Sequence, residues 1–368
     1  MNKLYTLVIL LLVLSVNIVD VSGQTGSALT GTQTLRLARA SYDQGRLHEL
    51  PSYLLVDTTQ RLKPIFNFTE SIEAHKLLIL TYIYIEEPEK ADRWMIDLLK
   101  TDHFFEITDS DPVEFKTLYK KFRTRPLYRF GVKGGISQTF VSPIKTYYQA
   151  DASARKGEYT PNLGFQFGFV VERDLGSKLW TDKNSLLERL TVMGELYYTI
   201  QSFNYVNPSL FDSDFEERES SITHRINNSR IQLNALGQYK FAKYGKNKTP
   251  YVALGPSVSY LMGADFEPLS LVESRDEFAE PTDISDSFKK IDLGVILAAG
   301  GRFKLGGIYF IADIRYQYGL MNVATGKNRY QEQGLTQSFY TVSDFSMNQI
   351  MVNIGLLYPY FSPRKMIK

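Results

Sequence analysis

Cysteine is absent from all 368 residues of the chain. Its absence excludes disulfides, iron–sulfur clusters and thiolate chemistry. Positive charge is not in excess either, because 42 Lys and Arg face 40 Asp and Glu, a formal net charge of +2. This balance indicates no polybasic surface for nucleic acid, so we predict no nucleic-acid partner.

Sequence motifs that hold nucleotides or catalytic zinc are also missing. The chain contains no Walker A loop, no dinucleotide-binding glycine fingerprint and no HExxH sequence. We therefore expect no cofactor, no metal site and no enzyme activity.

A single long apolar run is present, and it lies near the N-terminus. The run covers residues 4–19 after Lys3, and small residues at 21–23 precede Gln24. This pattern predicts a signal peptide over residues 1–23, with an uncleaved membrane anchor as the alternative. No cysteine follows the run, which excludes a lipoprotein. No later run has the 18 apolar residues that a membrane-crossing helix requires.

Residues 31–123 carry apolar residues at helical spacing. The spacing predicts one helix pair over 32–55 and a second over 70–99, followed by a last helix over 113–122. We predict a small helical domain that precedes the rest of the chain.

The second helix pair resembles a tetratricopeptide (TPR) repeat. Leu78, Tyr82 and Ala91 lie at the spacings of that repeat's Leu, Tyr and first Ala, whereas Glu86 and His103 replace its Gly and its closing Pro. The match covers one repeat, and a solenoid needs about three. The resemblance implies a TPR-like module that binds a peptide or protein; a plain helical hairpin is the alternative.

After Pro126 the apolar period changes from helical to two. Between Ile308 and Tyr318, for example, apolar residues alternate with Asp313, Arg315 and Gln317. A period of two places the two sets on opposite faces of a strand. We count eight such stretches, near 127–139, 161–173, 188–205, 229–243, 249–263, 290–304, 308–318 and 347–361.

Eight alternating strands behind a signal peptide predict an antiparallel transmembrane β-barrel over residues 127–362. The fold class is α then all-β. Short connections after the fourth and sixth strands and long ones after the odd strands place both termini and the helical domain in the periplasm, with long loops outside. The predicted aromatic girdles are Tyr128, Phe241, Phe303 and Tyr358 at the periplasmic side, and Tyr198, Tyr260 and Tyr318 at the outer side.

The inward faces of these strands carry charge, which disfavours the alternative of a soluble β-sandwich or lipocalin-like barrel. Charges in a soluble core cost several kcal/mol each unless they are paired. In a barrel lumen they can pair, and we predict a salt-bridged, plugged lumen; a narrow ion pathway is the alternative. The predicted network comprises Arg129, Lys133, Glu172, Glu195, Lys240, Asp292, Arg302, Asp313 and Arg315.

The stretch over 250–261, with sequence PYVALGPSVSYL, is similar to a strand of the outer-membrane β-barrel proteins of Bacteroidota, in the broad PorT-like group. The arrangement of strands as a whole resembles these proteins, over the C-terminal two thirds of the chain. The group includes a component linked to type IX secretion, so the resemblance implies a place in an envelope assembly.

Two features could support a catalytic site or a cation site. His224, beside Ser220, Ser221 and Glu219, could form the rim site of an outer-membrane lipid hydrolase, or these could be ordinary loop residues. The acidic segments over 211–219 and 265–286 could bind divalent cations, or they could be solvated loops.

The combined interpretation is a non-enzymatic outer-membrane anchor whose periplasmic helical domain docks a protein partner, in a secretion or envelope assembly. Outer-membrane lipids surround its barrel. A lipid-modifying hydrolase and a passive structural or surface-loop binding barrel are the alternatives. The candidate partner surface comprises Tyr82, Trp94 and His103.

Overall fold

The computed structural model describes residues 29–56, 61–147, 157–175, 189–207, 222–241, 247–269, 281–327, 329–330, 335 and 340–366. The predicted signal peptide lies outside the described residues. The chain divides into two compact units. The helical unit comprises Met1–Thr101 and Asp109–Tyr119, and the sheet unit comprises Asp102–Thr108 and Lys120–Lys368.

The helical unit contains five α-helices and a short hairpin within its described residues. They are α1 (Gly31–Asp43), α2 (Leu50–Leu54), β1 (Leu55–Val56), β2 (Arg61–Leu62), α3 (Phe68–Tyr84), α4 (Pro88–Thr101) and α5 (Val113–Tyr119), with a 3₁₀ turn at Leu47–Glu49. Capping boxes begin α1 and α3, where Thr30 pairs with Gln33 and Asn67 with Glu70.

The helix boundaries follow the predicted pattern except in the first pair. Its second helix, α2, has only five residues, because the chain turns extended at Leu55 and continues into β1; Pro51 lies in the first turn of α2, where proline is tolerated. The predicted break after α3 is present, and Glu86 takes a positive φ of 60° there. That conformation favours glycine, the residue that the TPR repeat carries at this position.

The helical core lies where α3 and α4 pack together. Ala74, Leu78, Met95 and Leu98 are fully buried, and they recur at the three- and four-residue spacing that places side chains on one helix face. Leu50 and Leu54 of α2 are fully buried as well. The short helix α2 thus contributes two leucines to the core of the helical unit.

The sheet unit consists of antiparallel strands. They are β3 (Tyr128–Lys145), β4 (Glu158–Pro161), β5 (Leu163–Asp174), β6 (Leu190–Asn207), β7 (Ile222–Lys240), β8 (Lys248–Pro268), β9 (Thr282–Asp283), β10 (Ile291–Leu305), β11 (Ile308–Gly319) and β12 (Asp344–Tyr360).

The sheet closes on itself. Its order is β10-β11-β12-β3-β5-β6-β7-β8, and β10 pairs with β8 to complete the ring. Strand β4 continues β5 along β6, and β9 pairs with the far part of β8. Closure leaves no exposed edge along the ring, which removes the usual site of edge-to-edge aggregation. Among the described residues no helix is long and apolar enough to cross a membrane.

The outer face of the ring carries an apolar band. On β7 and just after it, outward positions from Ile231 to Phe241 are apolar or glycine. Ten residue steps of about 3.3 Å, tilted by about 40°, cover roughly 25 Å, the height of the apolar band of outer-membrane barrels. Leu233 and Phe241 are more than half exposed, as are Leu254, Phe169 and Ile354 on other strands.

Strands β7 and β8 run beyond their predicted ends. Strand β7 begins at Ile222, where we predicted a start near residue 229, and β8 continues to Pro268. In this extension Arg225 and Asn227 face outward while Ile226 and Phe266 are buried inside. In this extension the outward residues are polar and the inward residues are apolar, the opposite of the apolar band. A prediction based on outward apolar residues therefore misses the extension.

Candidate functional site: the charged lumen and a groove on the helical unit

The middle of the lumen holds a four-charge cluster. Lys133 of β3 lies with its Nζ 3.2 Å from Glu195 Oε1 and 2.5 Å from Asp313 Oδ2. Arg315 of β11 contacts both carboxylates, with Nη1 2.5 Å from Glu195 Oε2 and Nε 2.7 Å from Asp313 Oδ1. All four side chains are buried. Two cations thus balance two carboxylates within one layer.

Neutral groups complete this middle cluster. Tyr251 donates its hydroxyl to Asp313 Oδ2 at 2.8 Å, and Asn353 donates to Asp313 Oδ1 at 3.0 Å. Asn234 donates to Glu195 Oε2 at 3.2 Å. Buried ion pairs are tolerated when hydrogen bonds occupy the remaining lone pairs, and that condition is met here.

A second cluster lies nearer the lower end, defined as the end where β3 begins and β12 finishes. Arg129 binds Asp174 through two hydrogen bonds, of 3.1 Å and 2.6 Å. Lys240 Nζ lies 2.7 Å from Asp174 Oδ1. Arg302 Nη2 lies 2.5 Å from Glu172 Oε2. Three cations share two carboxylates, so this layer carries a formal excess of one positive charge.

The structure brings together eight of the nine predicted network residues, and it changes the network at three positions. Asp174 is a central acceptor that the prediction omitted, because the alternation stopped at residue 173. Asp292 is buried, but it forms no ion pair within 4 Å among the described residues. Arg230 was also omitted. It is fully buried, with Nη1 3.5 Å from Ser259 Oγ.

The upper end of the sheet unit is filled by an apolar cluster. The cluster brings strand residues together with residues from the connections after β8 and β11, including Phe203, Ile226, Phe266, Ile284, Phe288, Val323, Tyr340 and Phe345. Hydrophobic side chains therefore occupy the lumen above the charged layers.

His224, the residue of the alternative rim site, packs against this upper cluster. It lies within β7 and is 2% exposed, with its ring 4.8 Å from Phe266 and 6.1 Å from Tyr340. The neighbouring Ser220, Ser221 and Glu219 lie outside the described residues. The aromatic surroundings indicate a packing role for His224.

The lower end of the lumen is covered by the segment Asp102–Thr108, which belongs to the sheet unit. Phe104 packs edge-on against Tyr309 at 5.7 Å and Phe361 at 5.4 Å. Lys304 Nζ lies 4.1 Å from the centre of the Phe104 ring. His103 stacks on Phe361 at 4.9 Å, so the assignment of His103 to the helical domain was wrong.

Two residues of the predicted partner surface, Tyr82 and Trp94, lie mostly inside the helical unit. Both are only 6% exposed. Burial raises the pKa of Tyr82, and Trp94 packs edge-on against His75 at 5.6 Å. Tyr82 lies on the buried face of α3 and Trp94 on the buried face of α4, so both contribute to the packing of this helix pair.

A groove of about 890 Å³ lies on the helical unit between β2 and its following loop, α3 and α4. One edge of Trp94 reaches this groove, beside Leu62, Phe66 and Ile96. Its rim is charged and contains Arg61, Lys63, Glu89, Asp92, Arg93, Asp97 and Lys100. Ligand sites are commonly concavities of this size with an apolar base and polar rim.

The acidic segments do not assemble a cation site among the residues that the structure describes. No group of three His, Asp or Glu side chains there has metal-binding geometry. Residues 211–219, and residues 270–280 of the second segment, lie outside the described ranges. In the second segment, Glu267 pairs with Arg225 at 3.4 Å, and hydrogen bonds from Ser285 lower the pKa of Asp283.

Comparison with solved structures finds outer-membrane barrels. OprG from Pseudomonas aeruginosa shares 14% identity with a TM-score of 0.32, covering 65% of this chain and 98% of that chain. A major outer membrane protein from Thermus thermophilus shares 13% identity with a TM-score of 0.33, covering 63% and 99%. E. coli outer membrane protein W shares 15% identity with a TM-score of 0.27, covering 64% and 99%.

No curated protein matches the chain. The family model described as "Outer membrane protein beta-barrel domain" matches residues 124–325, more than half of the 368 residues. The matched range begins just before β3 and ends after β11, so it covers most of the closed sheet. The closed ring with its outward apolar band accords with this match, and the chain belongs to the outer-membrane β-barrel family and resides in the outer membrane.

Proposed function

We propose that this protein is a non-conducting outer-membrane anchor that holds its helical unit in the periplasm, where the unit docks a protein partner. The observation that carries the docking proposal is the groove of the helical unit, because a plain packed hairpin has no need of an open concavity. The lumen supports the anchoring role, since charged and apolar side chains fill it at several levels.

Connection lengths support the orientation. Strands β10 and β11 are joined by Gly306-Gly307 alone, at the lower end. The connections at the upper end, residues 146–157, 208–221, 269–290 and 320–343, are longer than this turn and than residues 241–247 at the lower end, where residues 175–189 form the one long connection. Short turns face the periplasm in bacterial barrels. We infer that eight strands cross the membrane and that the lower end of the barrel faces the periplasm. The chain that precedes β3 then starts from the periplasmic side.

The proposal that the partner belongs to a secretion or envelope assembly rests on the resemblance to known families. The PorT-like character of the 250–261 strand and the TPR-like spacing of α3 and α4 favour a secretion or envelope complex of Bacteroidota. A passive structural barrel remains the competing function. The hydrolase alternative is disfavoured, because His224 lies among aromatic rings at 2% exposure.

Co-purification tests the docking proposal. The full-length protein and a variant lacking residues 31–101, which keeps the segment Asp102–Thr108 of the sheet unit, would be extracted from outer membranes in mild detergent and compared by mass spectrometry. Barrel folding in both would be checked by the heat-dependent shift in gel mobility that folded barrels show. A protein that accompanies only the full-length chain supports docking. Identical, partner-free preparations of two folded barrels would sink it.

A further inference from the structure

We infer that the groove of the helical unit binds an extended acidic segment of the partner, which adds as a strand beside β2. This inference rests on the proposed docking function and specifies its ligand. The occupant is a peptide with carboxylate side chains on one face and apolar side chains on the other.

The shape of the groove favours an extended chain. One wall is formed by β2 and the following loop, including Arg61, Leu62 and Lys63, and the other wall is formed by α4. A trough between a strand and a helix accepts a linear segment, whose alternate side chains point in opposite directions. The apolar base at Leu62 and Trp94 would receive one of these two sets.

The free edge of β2 is two residues long, Arg61–Leu62, and can offer backbone hydrogen bonds there. Strand β2 pairs with β1 on one side, at Leu55–Leu62 and Val56–Arg61. Within the described ranges this sheet has only these two strands. An unpaired strand edge exposes N–H and C=O groups, and extended peptides commonly bind by completing such an edge.

Charge selects the acidic peptide. Four basic and three acidic residues line the groove, an excess of one positive charge. Lys100 lies 3.5 Å from Asp97, which leaves Arg61, Lys63 and Arg93 beside Glu89 and Asp92. Arg61 and Arg93 are exposed, and neither forms an ion pair within the part of the chain that the structure describes. Guanidinium groups bind carboxylates through paired hydrogen bonds, so these two arginines are suited to the partner's acidic side chains.

Fluorescence anisotropy on the full-length protein in detergent tests the inference. The probe is a fluorescein-labelled dodecapeptide of alternating Glu and Val. We expect saturable binding that weakens with added salt, because exposed ion pairs are screened. A double variant, Arg61→Glu with Arg93→Glu, should weaken binding about tenfold, because each substitution replaces attraction with repulsion.

Matched controls separate the parts of the inference. Arg36→Glu changes an exposed arginine of α1 outside the groove and should leave binding unchanged. A peptide with Gln in place of Glu should bind at least tenfold more weakly. A peptide N-methylated at alternate residues loses strand hydrogen bonds and should bind weakly as well. Circular dichroism would check that each protein variant retains its helices.

Three outcomes would overturn the inference: equal binding of the Gln peptide, equal binding of the N-methylated peptide, or equal weakening by Arg36→Glu. Absence of all peptide binding would overturn it too. Each of these outcomes leaves the co-purification result intact, because that experiment detects any partner of residues 31–101. A partner that remains with the Arg61→Glu, Arg93→Glu variant would support docking while rejecting this groove chemistry.

Discussion

Glu195 and Asp313 hold the middle of the lumen together, since each carboxylate contacts both Lys133 and Arg315. The two carboxylates neutralise the charges of the two cations. Removing one partner of a buried ion pair leaves an uncompensated charge, which costs more than the intact pair contributes. Stability at this layer therefore depends on single side chains.

Glu195→Gln should destabilise the barrel by about 3–5 kcal/mol, because it leaves Lys133 and Arg315 with one carboxylate between them. The midpoint temperature of the heat-dependent gel shift measures the effect. Ser257→Ala is the matched control, because Ser257 is a buried lumen residue whose hydroxyl has no hydrogen-bond partner among the described residues. Equal midpoints for Glu195→Gln and wild type would show that the ion pairs contribute little.

His75 should make the helical unit sensitive to mild acid. Burial lowers the pKa of His75 below its ordinary 6.5, and its Nδ1 lies 2.6 Å from the Ser71 carbonyl oxygen. Below pH 6.5 the unfolded chain therefore binds more protons than the folded unit does. The free energy of unfolding should fall as pH drops from 6.5 towards the lowered pKa, and then level off.

Urea unfolding at pH 7.5, 6.5 and 5.5 measures this loss, with Trp94 fluorescence recorded in a Trp180→Phe background. His75→Gln should flatten the pH dependence, whereas His48→Gln, at an exposed position, should retain it. The pKa of Glu70 is lowered by hydrogen bonds from Thr32 and from the Asn67 backbone, so its contribution is lost only in more acidic solution. A pH-independent midpoint in the wild type would contradict the assignment.

Helix α3 depends on its first turn. The Asn67 side chain accepts from the Glu70 backbone N–H at 2.9 Å, and Glu70 accepts from the Asn67 N–H at 3.0 Å. These bonds satisfy donors that have no partner inside the helix. The same helix contributes much of the unit's core, so its start influences the whole unit.

Asn67→Ala should destabilise the helical unit by about 1 kcal/mol, because it removes one half of the capping box. The urea midpoint reported by Trp94 should fall, while the gel-shift midpoint of the barrel should not change. Thr69→Ala, an exposed substitution in the same turn, is the control. An equal effect of both substitutions would mean that the cap itself contributes nothing.

Outward-facing positions on β7 and β8 differ in their depth relative to the apolar band. Leu254 faces outward, is 58% exposed and pairs with Leu297 and Gly237 near the middle of the band. Asn227 also faces outward, but on the polar extension of β7 above the band. Identical substitutions at these two positions therefore probe lipid depth.

Leu254→Arg should destabilise the folded barrel by about 2–4 kcal/mol, because an arginine at mid-depth must reach water past the lipid chains. Asn227→Arg should change stability by less than about 1 kcal/mol, because it lies outside the apolar band. Refolding into lipid vesicles under a urea series measures both. Equal costs would contradict the placement of the membrane.

The closed ring should not conduct ions. Two charged layers and the upper apolar cluster fill the lumen, and Phe104 covers its lower end. In planar bilayers we expect no stepwise conductance from the wild-type protein. Phe104→Ala should also be silent, because the charged layers above it stay filled. Porin-like steps from the wild type would contradict a plugged lumen and favour the ion pathway.

Period-two alternation was enough to predict each long strand and the inward direction of all nine network residues, although Asp292 forms no ion pair among the described residues. Alternation reports which face a residue occupies, and every strand of a barrel has one lipid face. Helical spacing likewise predicted the α3–α4 pair. It could not distinguish an exposed face from a buried one, and for this reason Tyr82 and Trp94 were assigned to a surface.

Partners across the ring were decided by the tertiary structure alone. Asp174 meets Arg129 and Lys240 because strand register, tilt and closure bring three distant segments to one height. Two further features depend on contacts between segments far apart in the chain: the groove beside β2, and the packing of Phe104 on Tyr309. Local pattern determines the direction of each side chain, but only the closed sheet and the packed helices determine what that side chain meets.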